Sequence, residues 1–189
     1  MNDSRSAVFW GRFKLTLVPT VFILSFVAAW AAFQLGWMPS AKSHGKPILP
    51  QRNFTGIRIV MAGNGSQWLW RNPQRPTMTL VALSHGTCTS ACVRTLVLLR
   101  NARITLGAEQ DRLRLLYIGQ LPTGAAGKVL LKSWYHGRDV DGKLSGFRPS
   151  HDGAVSALLV EANGTALVQY PAGFSPDGLK DDLQKVIRR

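Results

Sequence analysis

The sequence predicts an α/β domain held behind one membrane-spanning helix, and three observations carry that expectation. The stretch from Leu15 to Met38 holds no charged side chain. An apolar run, Thr77 to Leu83, leads into a helical pattern that starts beside the chain's two cysteines. Near the C-terminus, Asn163-Gly164 separates two apolar runs as a two-residue hairpin turn does, and an apolar stripe at helical spacing follows.

With 189 residues, 46% of them hydrophobic, the chain can bury one core of ordinary size and still carry an appendage. Leu15–Met38 is that appendage, long enough as a helix to cross a hydrocarbon layer of about 30 Å. Pro19 lies near its start, where helices tolerate proline, and Trp30 and Trp37 suit an interface. Arg5, Arg12 and Lys14 come first, as in a cleaved signal peptide, but the stretch exceeds the usual signal core and Pro39-Ser40-Ala41 is a poor cleavage site. The expected organisation is a cytoplasmic tail over 1–14, a transmembrane helix over 15–38, a linker over 39–53 and a folded domain over 54–189. Lys42, Lys46 and Arg52 nearly match the basic residues before the span, so charge alone does not orient it. The short N-terminal tail and the long C-terminal part favour a single-pass protein of the inner membrane with its domain in the periplasm. Cysteines there meet an oxidising compartment.

The formal net charge of +13 raises nucleic acid as a partner. The basic residues are scattered, however, and no Lys/Arg run interleaves with aromatics, so nucleic acid is excluded. Anionic lipid headgroups, or an acidic partner in the same membrane, suit the charge better. The chain also lacks a glycine-rich phosphate loop, HExxH and a nucleophile elbow, and its ten acidic residues are too dispersed for a carboxylate pair. Hydrolase chemistry is set aside.

Residues 39–53, rich in Pro, Gly and polar side chains, read as a linker in which His44 is solvated. Ile57, Ile59 and Met61 alternate with other residues as in a half-buried strand, Gly63-Asn64-Gly65 turns, and residues 67–71 return with Trp68 and Trp70. After a proline-bearing break, Thr77–Leu83 suits a buried strand. Val93, Leu96, Val97, Leu99 and Ile104 recur at three- and four-residue steps, predicting a helix from Ser90 to Leu106 closed by Gly107. Arg112–Tyr117 returns as a strand, completing a parallel crossover unit. Val129, Leu130, Leu131 and Trp134 suggest a short helix, and residues 136–149 read as loop. Val155–Val160 and Ala166–Tyr170 form the hairpin about Asn163-Gly164. Ser175 is an N-cap, Pro176 the first helical residue, and Leu179, Leu183, Val186 and Ile187 the buried stripe. The order β-β-β-α-β-α-β-β-α describes a thioredoxin-like sheet with an N-terminal hairpin, whose first crossover helix begins at the cysteines.

Cys88 and Cys92 lie four positions apart, so one helical turn brings both thiols to one face. Near a helix N-terminus thiolates are stabilised, which makes them better nucleophiles and better soft-metal ligands. Copper binding, thiol–disulfide exchange and a structural clip are all open to such a pair. A disulfide closing so short a loop gains little chain entropy, which disfavours the clip. Copper needs both thiolates and preferably an imidazole, whereas exchange needs only the pair and an access path.

TLVALSHGTCTSACVRTL, residues 79–96, resembles the motif region of the Sco (SenC-like) proteins, thioredoxin-fold copper chaperones that are anchored in the membrane and mature the binuclear copper centre of cytochrome c oxidase. The resemblance extends over about residues 54–189 and is strong again at ALLVEANGTALVQY and FSPDGLKDDLQKVI. It implies a metallochaperone or assembly factor rather than an enzyme in the strict sense. That factor would deliver copper to the oxidase subunit carrying the binuclear centre, or reduce that subunit's copper-ligand cysteines, alone or with other assembly factors. It further implies a copper site of Cys88, Cys92 and a histidine shortly before the last hairpin. Thr89 and Val93 stand where the family has prolines, and Ile118-Gly119-Gln120-Leu121-Pro122 replaces its acidic stretch. Counting back from Gly164 puts Gly153 at the histidine position; His151, two residues earlier, reaches the site if the loop carries a two-residue insertion. His85, three residues before Cys88, is a second candidate, and His136 has no positional argument. Two other readings remain: a Sco-like scaffold that binds assembly partners without moving metal, and a general periplasmic thiol–disulfide oxidoreductase.

Overall fold

A computed structural model describes residues 19–32, 34, 43–122 and 124–187. The chain divides into two units, Met1–Lys42 and Ser43–Arg189. In the first, residues 19–32 are helical and expose Phe22, Leu24 and Phe26. Among the described residues no helix is long and apolar enough to cross a membrane. The ends of the span expected over 15–38, the expected tail over 1–14 and residues 39–42 of the expected linker lie outside the described residues.

The second unit runs β1 (Lys46–Asn53), β2 (Ile59–Met61), β3 (Met78–Ser84), α1 (Ser90–Ile104), β4 (Leu113–Ile118), α2 (Ala125–Leu131), β5 (Tyr135–Asp139), β6 (Val155–Val160), β7 (Thr165–Tyr170) and α3 (Pro176–Ile187). The seven strands form one sheet in the order β1-β7-β6-β3-β4-β5-β2. β3 pairs in parallel with β4 and antiparallel with β6. Because β3 is central, both of its faces are buried, which is why its sequence is an apolar run rather than an alternation. Leu80 and Ala82 on β3, with Leu113, Leu115 and Tyr117 on β4, pack against Leu96 and Leu99 of α1 and Leu179 and Leu183 of α3. Val81, Leu83, Leu116 and Ile118 look the other way, into a core closed by Phe54, Trp68, Trp70 and Phe147.

Three expectations are corrected. The linker expected over 39–53 ends before Ser43, where the compact unit begins, and Lys46–Asn53 is strand β1 on the edge of β7. The N-terminal hairpin is reduced to a bridge between Val60 and Gln67, because β2 pairs with β5 instead. The return segment turns both indoles inward, and Trp70 Nε1 donates to the Ile57 carbonyl at 2.8 Å. Residues 135–139, expected as loop from 136, form β5, parallel to β4.

The start of the unit is fastened to its end. Asp182 on α3 is buried, and its Oδ2 accepts from the His44 backbone N–H at 2.7 Å, the Ser43 hydroxyl at 3.0 Å and the Tyr170 hydroxyl at 3.1 Å. Its Oδ1 faces His44 Nδ1 at 3.4 Å, so His44, exposed as expected, is also tied to α3. Burial pushes the Asp182 carboxyl up, but the donors from His44, Ser43 and Tyr170 more than offset it and hold the group below its ordinary value of 3.8. A carboxyl depressed in the folded state contributes stability that is fully present above the unfolded pKa and lost as pH falls through the folded value. Asp182→Ala should therefore destabilise the domain by about 1–3 kcal/mol at pH 7, since it leaves buried donors unpaired. The difference in melting temperature between wild type and variant should shrink as the pH falls below 3.8; calorimetry across pH 2–7 measures both.

Candidate functional site

The last residues of β3 leave the sheet beside the first turn of α1, and the two cysteines sit at that junction. Cys88 and Cys92 are joined as a disulfide with Cα atoms 5.2 Å apart. Thr89 is the N-cap of α1 in an extended conformation, and its side chain makes no capping bond. The first turn holds no acidic residue, so the unpaired N–H groups there turn the positive end of the helix dipole toward the sulfurs. Cys88 keeps 3% of its surface exposed and Cys92 none. Cys88 is thus the sulfur nearer to solvent.

Beneath Cys92 lies a polar cluster that sequence reasoning missed. The Tyr117 hydroxyl is 3.9 Å from Cys92 Sγ, 2.8 Å from Ser84 Oγ, and donates to the Gln120 carbonyl at 2.6 Å. Burial pushes the Tyr117 phenol above its ordinary value, so it stays a protonated donor. Gly119 makes the room: a Cβ there would run into Ser84 Oγ and come within 2.7 Å of the Tyr117 hydroxyl. His136, on β5 opposite Tyr117, stacks on its ring at 5.7 Å and meets the Gly119 carbonyl through Nε2 at 3.0 Å. The available signal was Ser84 and Tyr117, polar atoms on one face of two neighbouring apolar strands.

The expected histidines are placed otherwise. His151 is exposed, and its Nδ1 meets Ser150 Oγ at 2.7 Å. His85 is exposed too, with Nε2 3.9 Å from Asp152 Oδ1. Among the described residues no three His, Cys, Asp or Glu side chains come together as a metal site. The structure therefore brings Cys88 and Cys92 together but brings neither His151 nor His85 to them. Yet the loop that carries His151 does lie against the motif. At Gly153 (φ 73°) an added Cβ would run into Thr89 Oγ1, and at Gly86 one would run into Asp152. The glycine counted to the family's histidine position is thus the residue in contact with the segment between the cysteines.

A central parallel pair, an antiparallel C-terminal hairpin and a cysteine pair opening the first crossover helix define a thioredoxin-like protein. Residues 78–189 match the family described as transmembrane-like, thioredoxin-like, C-terminal domain, and the chain belongs to that family. Its fold is similar to that of apo Sco1 from Thermus thermophilus, with 15% identity, a TM-score of 0.50, and 80% of this chain and 97% of that one covered. Copper-bound ScoI from Arabidopsis thaliana aligns with 12% identity and a TM-score of 0.49, over 77% of this chain and 99% of that one. A putative thiol:disulfide interchange protein DsbE from Chlorobium tepidum aligns with 12% identity and a TM-score of 0.47, over 75% and 94%. At such identities the likeness speaks for the thioredoxin-like fold alone. No curated protein sequence matches the chain.

The thiol of a reduced Cys92 can donate to the Tyr117 oxygen, whose own proton goes to the Gln120 carbonyl, whereas the disulfide has no proton to give. Tyr117→Phe should lower the reduction potential of the pair by up to about 30 mV, the equivalent of losing one ordinary hydrogen bond of about 0.5–1.5 kcal/mol from the reduced form. Equilibration with glutathione buffers measures the change.

Proposed function

We propose that this is a membrane-tethered thiol–disulfide protein of the periplasmic face, whose Cys88–Cys92 pair reduces the copper-ligand cysteines of a cytochrome c oxidase subunit during assembly of the binuclear copper centre. The observation that carries the reading is the pair itself: two sulfurs bonded across the start of α1, with Cα atoms 5.2 Å apart. In the reduced protein the Cys88 thiolate attacks the client disulfide, forming a mixed disulfide and releasing one client thiolate. Cys92 then attacks Cys88 Sγ, the second client thiol leaves, and the protein's own disulfide is formed. Two electrons pass to the client, and an external dithiol of the same compartment restores the pair. The apolar stretch 15–38 supplies the tether, and the basic surface suits anionic headgroups.

A second reading, copper delivery, is favoured by the contact between Gly153 and Thr89. It brings the His151 loop against the motif, where a reduced pair and one imidazole would form a soft-ligand copper site with the metal as cargo.

The reduced full chain in detergent should reduce a disulfide-bonded copper-domain peptide. Cys88→Ser should abolish this by at least a hundredfold, and Cys92→Ser should accumulate the mixed disulfide. If the wild type leaves the peptide oxidised but takes up one equivalent of Cu(I), with affinity falling at least tenfold in His151→Ala, copper delivery replaces reduction. Loss of both activities, with oxidase assembly in cells unaffected by Cys88→Ser, would leave only a scaffold.

A further inference from the structure

Where β3 and β4 begin, at the opposite end of these strands from the disulfide, a groove of about 640 Å³ opens between Arg75, Arg103, Arg114, Lys132, Trp134 and Tyr135. Arg103 is engaged already: its Nε donates to the Gln110 and Leu113 carbonyls and its Nη2 meets Asp111 at 3.4 Å. Arg75, Arg114 and Lys132 have no carboxylate partner among the described residues. Asp111 lines the groove as well and is taken up by Arg103, so three cations line the same groove without a carboxylate of their own.

Arg114 is the unusual member. It is half-buried, its guanidinium lies 4.2 Å over the Trp68 ring, and its Nη2 donates to the Leu69 carbonyl at 3.0 Å. Burial pushes its pKa below the usual arginine value, the cost of holding a cation away from water without an anion. Its Nε is buried and without a partner, and so are the indole N–H groups of Trp68 and Trp134 beside it, side chains that are 94–95% buried. An unpaired buried donor is costly, and three lie together here, the guanidinium's own Nε and the two indole N–H groups beside it. A second groove of about 660 Å³, lined in part by Leu69, Trp68 and Leu121, shares Arg114, Trp134 and Tyr135 with the first, so an apolar surface continues from the cationic one.

We infer that these joined grooves bind a phosphate ester, its oxygens held by Arg75, Arg114 and Lys132 and its apolar body laid against Leu69, Trp134 and Tyr135. Several acceptor oxygens on one anion match a fork-shaped guanidinium and flanking cations. This site stands apart from the thiol chemistry and does not depend on it.

The same chemistry belongs to a soluble phosphate ester and to a phospholipid headgroup, and two probes distinguish them. The full chain in uncharged detergent is titrated with phenyl phosphate and, separately, with short-chain phosphatidylglycerol below its micellar concentration, followed by tryptophan fluorescence and calorimetry. At least one probe should bind saturably, and at least fivefold more tightly than phenol or inorganic phosphate. The tighter probe assigns the source. The double variant Arg75→Gln, Lys132→Gln, whose side chains lie at the exposed rim, should weaken that binding at least tenfold without lowering the melting temperature. Trp134→Phe should reduce the fluorescence change, leaving the part reported by Trp68. No saturable binding of either probe, or binding that survives the rim double variant, overturns the inference.

Discussion

The burial of β3 on both faces is the constraint from which the rest of the domain follows. A strand that pairs with β4 on one side and β6 on the other has no edge to offer water, so every side chain from Thr79 to Ser84 is buried. The parallel partner requires a crossover, and α1 is that crossover, packed on the face where Leu80 and Ala82 point. Its first turn is consequently pinned to the end of β3, and the cysteines have little freedom in where they meet. The β6–β7 hairpin on the other side fixes the loop before it, which is how Gly153 comes to rest on Thr89.

The polar residues are placed by the same sheet but serve a different purpose. Ser84 and Tyr117 lie on neighbouring strands, on the face that looks toward α1, so the Tyr117 hydroxyl donates to the Gln120 carbonyl while its oxygen faces Ser84 and Cys92. Apolar residues at both positions would leave no hydroxyl near the buried sulfur. A hydrogen-bonded hydroxyl beneath a low-dielectric thiol site acts more strongly than it would in water. The chemistry of the pair is thereby coupled to the β4–α2 connection, through Gln120, and to β5, through His136.

What the sequence made legible and what it hid divide along physical lines. β3, α1, β4, β6, β7 and α3 each bury a full face, and burial writes itself as an apolar run or a three-four stripe. β1 buries only Ile48 of its eight residues, and its hydrogen bonds go to a strand more than a hundred positions away, so prolines and polar residues concealed it. β5 buries Gly137 and Asp139, residue types that carry no hydrophobic signal. The cysteine pair could be read from spacing because its geometry is local to one helical turn. The Tyr117 cluster could not, since it is assembled from three strands and a loop. The grooves around Arg114 are of the same kind, made by side chains from separate segments of the chain.

The fastening of Ser43 and His44 onto Asp182 bears on how the domain carries load. The preceding chain enters the folded unit at this point, and the bonds it meets belong to α3 and Tyr170, not to β1 alone. Tension arriving along the backbone at residue 43 is thus spread across a buried carboxylate, a C-terminal helix and the strand before it. An edge strand pulled from its end would unzip one hydrogen bond at a time; a carboxylate gripping two consecutive residues instead makes several bonds fail together. Load taken up at the leading end reaches α3 before it reaches β1, and α3 packs on the same core as the cysteine-bearing helix α1.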